Sequence, residues 1–295
     1  MSDRDRNQGG NFKSMKHIAV TGGSGKLGRQ VVSDLTEHGY KVTVVDNKPP
    51  DGLPCTFINA HLLDAGEAYG ALKGTDAVIH LAAIPGLTTY THGRIFTNNV
   101  ISTYNVLEAA EALGMKRAVI GSSESSYGFF WAKHPFVPDY LPVDENHPKL
   151  PQETYGMSKV INEMTAGMFN RSSGMHIAPL RFSTIISERE WPHIVRQLLA
   201  DPARFKRNLY SHVDVRDASA ACRLALEMDI PGAQPMNITS GTTLSDVDTP
   251  ELIARYFPGI TDIREDLSGH RALVSNSLAR EVLGWQPVHS WREFV

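Results

Sequence analysis

The sequence predicts an α/β protein built on a doubly wound parallel sheet, with a small C-terminal lobe. Three observations carry this. Short β-type runs alternate with helical stretches through the first 180 residues, the pattern of parallel strands joined by right-handed crossovers. The first unit is a strand, a glycine-rich turn and a helix. The run 77–81 is apolar except for His80, as a strand covered on both faces should be.

The elements follow in order. Residues 17–20 form the first strand and lead into Thr21-Gly22-Gly23. Over 25–38, Leu27, Val31, Val32 and Leu35 recur at helical spacing, and Gly39 ends the helix. Residues 41–45, 55–58 and 77–81 are the next strands, and a long helix spans about 96–113. The strand 117–120 ends at Gly121-Ser122-Ser123, and a helix over 155–171 leads to the strand 177–180. Beyond Arg181 the pattern loosens. Helical stretches near 194–199 and 218–227 are interrupted by Pro, Gly and short strands. The expected organisation is a disordered tail over 1–14, a sheet region over 15–180, and a lobe over 181–295 integrated with it. Met15 is a candidate start behind an extension.

Composition narrows the function. The 295 residues are 41% hydrophobic and 21% charged, ordinary for a globular chain. A net charge of -3 gives no global pull toward nucleic acid or an anionic membrane. No apolar run is long enough to span a bilayer, and the first fourteen residues lack a signal peptide's apolar stretch. Cys55 and Cys222 lie far apart without metal-type spacing, so neither a metal site nor a disulfide framework is expected, and a cytoplasmic setting is.

Gly22, Gly25 and Gly28 form a G-x-x-G-x-x-G turn between strand and helix. Glycine there permits a tight turn and close approach to a pyrophosphate, whose charge faces the helix N-terminus. Such a turn alone is a weak signal. Its strand–helix setting and Asp46, 18 residues after Gly28, make it a Rossmann-type dinucleotide site. An acid there holds ribose hydroxyls and repels a 2′-phosphate, which favours NAD.

Tyr155 and Lys159 have Y-x-x-x-K spacing, one face of a helix. The lysine charge is expected to lower the phenol's pKa from about 10 toward the range suited to acid–base work. Ser123, at the carboxyl end of a strand, is placed to hydrogen-bond the same substrate oxygen. The trio Ser123, Tyr155 and Lys159 is the predicted catalytic set. The long connection 129–150 holds Phe129, Phe130, Trp131, His134, Phe136 and Tyr140, and reads either as a lid or as a packed aromatic cluster.

With Val44-Val45-Asp46-Asn47, His80-Leu81-Ala82-Ala83, Asn98-Asn99-Val100, the run Ser122 to Gly128, and Leu283-Gly284-Trp285-Gln286-Pro287, these motifs resemble the extended short-chain dehydrogenase/reductases, the NAD-dependent epimerase/dehydratase family. The resemblance runs from about residue 16 to the C-terminus and is strongest before Arg181. It implies NAD as cofactor, held by Gly22, Gly25, Lys26, Leu27 and Gly28 at the pyrophosphate and by Asp46 and Asn47 at the ribose. It implies Leu62 at adenine, Leu81, Ala82, Ala83 and Asn98 along the cleft, and Phe182 and Ser183 near the nicotinamide. Tyr155 would be the acid–base and Lys159 would also bind the nicotinamide ribose. Glu124, Ser125, Thr184 and Arg207 fall on the substrate side, and the lobe 181–295 would be mainly substrate-binding. A homodimer through the helices 96–113 and 155–171 is the family's usual assembly.

Departures from the family pattern shift the substrate. Glu124-Ser125 replaces the acidic pair of the dehydratases. Thr184 and Ser211 move the likeness toward uronate dehydrogenases, which oxidise free sugar acids. Arg181 and Arg207 each suit a carboxylate or phosphate. The expected function is therefore NAD-dependent hydride transfer at a secondary alcohol or ketone carbon of a sugar, sugar acid or sugar derivative. Alternatives are a nucleotide-sugar 4-epimerase, a reductase of non-sugar carbonyls, and a non-catalytic NAD sensor. A sensor would have no need to keep the trio together.

Overall fold

The computed structural model describes residues 15–87 and 90–295; the tail expected over 1–14 lies outside them. The strands are β1 (His17–Thr21), β2 (Lys41–Asp46), β3 (Thr56–Asn59), β4 (Ala77–His80), β5 (Arg117–Ser123) and β6 (His176–Phe182). A short pair, β7 (Ile185–Ile186) and β8 (Val213–Asp214), stands apart, and β9 (Met236–Ile238) returns to the main sheet. The seven-stranded sheet is parallel, in the order β3-β2-β1-β4-β5-β6-β9. The helices are α1 (Lys26–Glu37), α2 (Ala65–Leu72), α3 (His92–Ala112), α4 (Thr154–Ser173), α5 (Trp191–Ala200), α6 (Val215–Glu227), α7 (Thr249–Tyr256) and α8 (Ser277–Leu283).

Strand alternation divides the core. Ile18, Val20, Val42 and Val44 point to the face covered by α1 and α6, where Leu27, Val31, Val32 and Leu35 meet Ala218 and Ala221. Ala19, Val45 and Val78 point to the other face, covered by α2, α3 and α4. No helix among the described residues is long and apolar enough to cross a membrane.

The structure differs from the sequence reading in four places. α2 contains Gly66 and Gly70, which lower helix propensity; an Asp64 cap on the Glu67 amide (2.9 Å) and the burial of Ala68, Ala71 and Leu72 make it. α3 starts at His92, because Thr91 accepts the Arg94 amide as its cap. β5 runs to Ser123, paired with Phe182, so the boundary expected at residue 180 falls inside β6. β9 is three residues long, too short for any period, and only its pairing with β6 defines it.

Residues beyond 180 also build two smaller cores. In one, Leu209, Tyr210, Leu252, Phe257 and Leu273 pack with Tyr127, Phe129, Leu141 and Val143. The aromatic connection is thus packed down: Phe129 lies 5.0 Å from Phe136 and 6.3 Å from Tyr127 between ring centres. The other gathers Trp191, Val195, Leu198, Leu244 and Trp291.

Candidate active site

At the carboxyl end of β1 the chain turns at Gly22, whose φ of +70° suits glycine. The Gly25 amide donates to the Gly22 carbonyl (3.0 Å), and α1 opens directly after. A Cβ on Gly28 would stand 2.1 Å from that carbonyl oxygen, so the helix reaches the turn only because residue 28 has no side chain. Gly28→Ala is expected to destabilise the fold by about 1–3 kcal/mol and to weaken NAD binding at least tenfold. Urea unfolding and NAD titration check both.

Asp46 ends β2, with one carboxylate oxygen held by the Ser24 amide (3.0 Å) and the other by the Asn47 amide (2.7 Å). The turn packs on the segment after β4: the Leu81 amide donates to the Thr21 carbonyl (3.0 Å) and the Ala82 amide to the Thr21 hydroxyl (3.3 Å). Leu81, Ala82 and Ala83 are half-buried there. An uncovered helix N-terminus, a tight glycine turn and an acid at the end of β2 fit a dinucleotide diphosphate and ribose. Leu27 points its side chain into the core, leaving its backbone to face the turn. Lys26 crosses to the second half of the chain, donating to the Ile185 carbonyl (3.2 Å) and Glu190 (2.8 Å). Leu62 is buried, its carbonyl accepting from Asn105 (3.0 Å), and Asn47 is exposed. Asn98 donates to Asn99 (3.2 Å). Asn99 clamps both backbone groups of Ile84 and also meets Ser158, one residue before Lys159.

The predicted trio comes together at the end of β5. The Ser123 hydroxyl hydrogen-bonds the Tyr155 phenol, donates to Ser125 Oγ (3.2 Å) and accepts the Ser125 amide. Lys159 Nζ lies 5.4 Å from the centre of the Tyr155 ring and donates to the Gly121 carbonyl at 2.7 Å. α4 is fixed here because the Glu153 carboxylate caps the amides of Tyr155 and Gly156.

The electrostatics correct the sequence expectation. Burial pushes the Tyr155 phenol up to about 12; the Ser123 hydrogen bond lowers it, while Glu153 and Glu124 raise it. Burial pulls Lys159 down to about 8, with Glu163 opposing. The phenol is therefore not brought toward neutrality, because desolvation is the largest influence on it. His80 is held neutral, its pKa lowered to about 3 by burial and then by Lys159, with its ring bridging the Thr21 (2.7 Å) and Thr103 (3.1 Å) hydroxyls.

Glu124 begins the 3-10 turn after β5. Its carboxylate accepts from Thr184 (3.3 Å) and from Ser211, and Ser183 also bonds it. Asn208 ties the group together by donating to Thr184 (3.0 Å) and the Ser211 carbonyl (3.0 Å). Burial pushes Glu124 up to about 8 against these hydrogen bonds. Ser183, expected near the nicotinamide, thus reaches Glu124, while Phe182 packs into the core.

Arg181 is a further correction. It is buried and paired bidentately with Glu163 (2.8 Å on both arms), and it donates to Tyr127 (2.9 Å) and the Glu145 carbonyl (3.2 Å). It has no face left for a substrate anion. Arg207 is exposed. Asp214, seven residues on, is turned inward to cap α6 and hold Trp191 (2.7 Å) and Arg216 (2.8 Å). Asn208, Glu163 and Trp131 were not legible as site residues. Trp131 stands edge-on to Tyr155, 5.4 Å between ring centres, and against Gly86. His134 is exposed, its backbone clasped by Gln152 (2.9 and 3.0 Å).

Comparison with known proteins finds relatives over most of the chain. A Methanocaldococcus jannaschii relative, provisionally named a UDP-glucose 4-epimerase, is 34% identical over 184 residues, which span 59% of this chain and 58% of that protein. The L-arabinose 1-dehydrogenase (NAD(P)(+)) of Haloferax volcanii is 28% identical over 225 residues, 74% of this chain and 85% of that protein. A short-chain dehydrogenase/reductase superfamily protein from Agrobacterium tumefaciens, solved with bound NAD, superposes with a TM-score of 0.72 at 25% identity, covering 94% of each chain. The family model for the NAD dependent epimerase/dehydratase family matches residues 18–239. On the glycine turn, the doubly wound sheet and this match, the chain belongs to the NAD-dependent epimerase/dehydratase family.

Proposed function

We propose that the protein transfers hydride at a secondary alcohol or ketone carbon of a carbohydrate, with NAD as partner. The observation that carries this is the Ser123–Tyr155 hydrogen bond with Lys159 beside it, at the carboxyl end of β5. Bound NAD supplies the hydride acceptor and donor. Tyr155 Oη takes the substrate's hydroxyl proton during oxidation and returns it during reduction. Ser123 Oγ holds the reacting oxygen. Lys159 holds the nicotinamide ribose and, from its anchor on Gly121, keeps positive charge near the phenol. Asp46 holds the adenosine ribose. Arg207 is exposed and forms no ion pair among the described residues.

Purified protein with NAD and a sugar panel tests this reading. Net NADH absorbance identifies a dehydrogenase, and isomer interconversion without it an epimerase. Absence of both, with NAD bound, sinks the proposal. A nucleotide-sugar 4-epimerase is the second reading, supported by the name of the Methanocaldococcus relative.

We infer further that two copies associate through α3 and α4. These helices leave Ile101, Tyr104, Met157, Met164 and Met168 exposed, an apolar surface of the kind that marks an interface. Met164→Glu is expected to convert a dimer to a monomer in light scattering, and an unchanged mass would overturn the assignment. Both cysteines are unpaired, which suits a reducing cytoplasm.

A further inference from the structure

Glu124 is a carboxyl group sunk into the substrate side of the site with no cation to meet it. The groups acting on it are burial and the hydrogen bonds of Ser211, Ser183 and Thr184; no Lys or Arg is among them. It lines a narrow crevice whose other walls include Tyr127, Phe129, Phe130, Asn208 and Leu209. Glu124 directly follows Ser123 at the end of β5, and its charge also raises the Tyr155 phenol.

We infer that Glu124 selects an uncharged, hydroxyl-rich carbohydrate and closes the site to sugar acids and nucleotide sugars. This rests on the hydride-transfer reading above and names its substrate class. A substrate carboxylate or phosphate placed here would lose water and gain no counter-charge, against a carboxyl that is itself desolvated. The arginines that the sequence offered for such an anion do not answer: Arg181 is held by Glu163, and Arg207 is exposed and does not line the cleft. Sugar hydroxyls behave oppositely. A carboxyl accepts from them when ionised and both donates and accepts when protonated, so either state binds them. The apolar walls suit the C–H face of a sugar ring.

The test compares kcat/KM with NAD for glucose against glucuronate, galactose against galacturonate, arabinose, and UDP-glucose, reading NADH and isomer formation together. The neutral sugars are expected to exceed their uronates by on the order of 100-fold. Assayed at pH 9, where the Glu124 carboxyl is ionised, Glu124→Gln keeps the volume without the charge and is expected to narrow that ratio at least tenfold. Glu124→Ala does the same by another route, and an NAD-induced thermal shift shows that each variant is folded. Preference of the wild type for a uronate or UDP-glucose, abolished by Tyr155→Phe, overturns the inference and leaves the hydride-transfer reading standing. A neutral-to-anion ratio unmoved in both Glu124 variants also overturns it. Failure of every sugar to turn over overturns both readings.

Discussion

Tyr155→Phe is expected to lower turnover about 1,000-fold, within the range usual for loss of a positioned acid–base group, while NAD affinity changes less than threefold. The substitution removes one oxygen from a ring that Trp131 already walls in, so packing survives. What is lost is the only tyrosine oxygen bonded to Ser123 at the end of β5 among the described residues. Stopped-flow turnover with a reactive sugar and NAD titration by fluorescence separate the two effects. Activity within tenfold of the wild type would remove Tyr155 from the chemistry.

The same residue sets a pH dependence with a definite sign. Burial raises the phenol to about 12, so the neutral form dominates at neutral pH. Oxidation needs the deprotonated oxygen and is expected to speed up from neutral into alkaline pH, whereas reduction needs the proton and stays level until the pH approaches about 12. Ser123→Ala removes a hydrogen bond that lowers the phenol's pKa, so the rise in oxidation moves to higher pH. A profile unmoved by that change would break the link between Ser123 and the phenol.

Arg181→Ala is expected to cost about 3–5 kcal/mol of stability, the price of leaving a buried charge unpaired. Glu163 would keep the Ser122 hydroxyl at 2.6 Å, but its nearest remaining cation, Lys149, stands 3.9 Å away. Tyr127 would lose a donor as well. Replacing both partners, as Arg181→Met with Glu163→Leu, is expected to recover most of the loss, because neither charge is then stranded. Urea unfolding of the singles and the double reads the coupling. A loss under 1 kcal/mol in Arg181→Ala would show that water reaches the pair.

Much of the fold was legible because its signals are local. The apolar spacing of Leu27, Val31, Val32 and Leu35 and the glycines around them determine β1, the turn and α1 within about twenty residues of chain. α2 and β9 were not legible, since an eight-residue helix with two glycines and a three-residue strand exist only through what they pack on or pair with. The site divides the same way. Tyr155 and Lys159 announce themselves by helical spacing, and Ser123 by its place at a strand end. Asn208 carries no such mark.

By itself the sequence determined the doubly wound class, the glycine turn and the residues of the proposed catalytic trio, all of them properties of short stretches. Tertiary structure alone decided what those residues' charges do. Lys159 reaches the Gly121 carbonyl, Arg181 is spent on Glu163, and Glu124 is ringed by hydroxyls that include Ser211, 87 residues away. A pKa follows from desolvation and from the charges within a few ångströms, and neither is written in the spacing of residues along the chain. That is why the phenol expected to fall toward neutrality is instead pushed up to about 12.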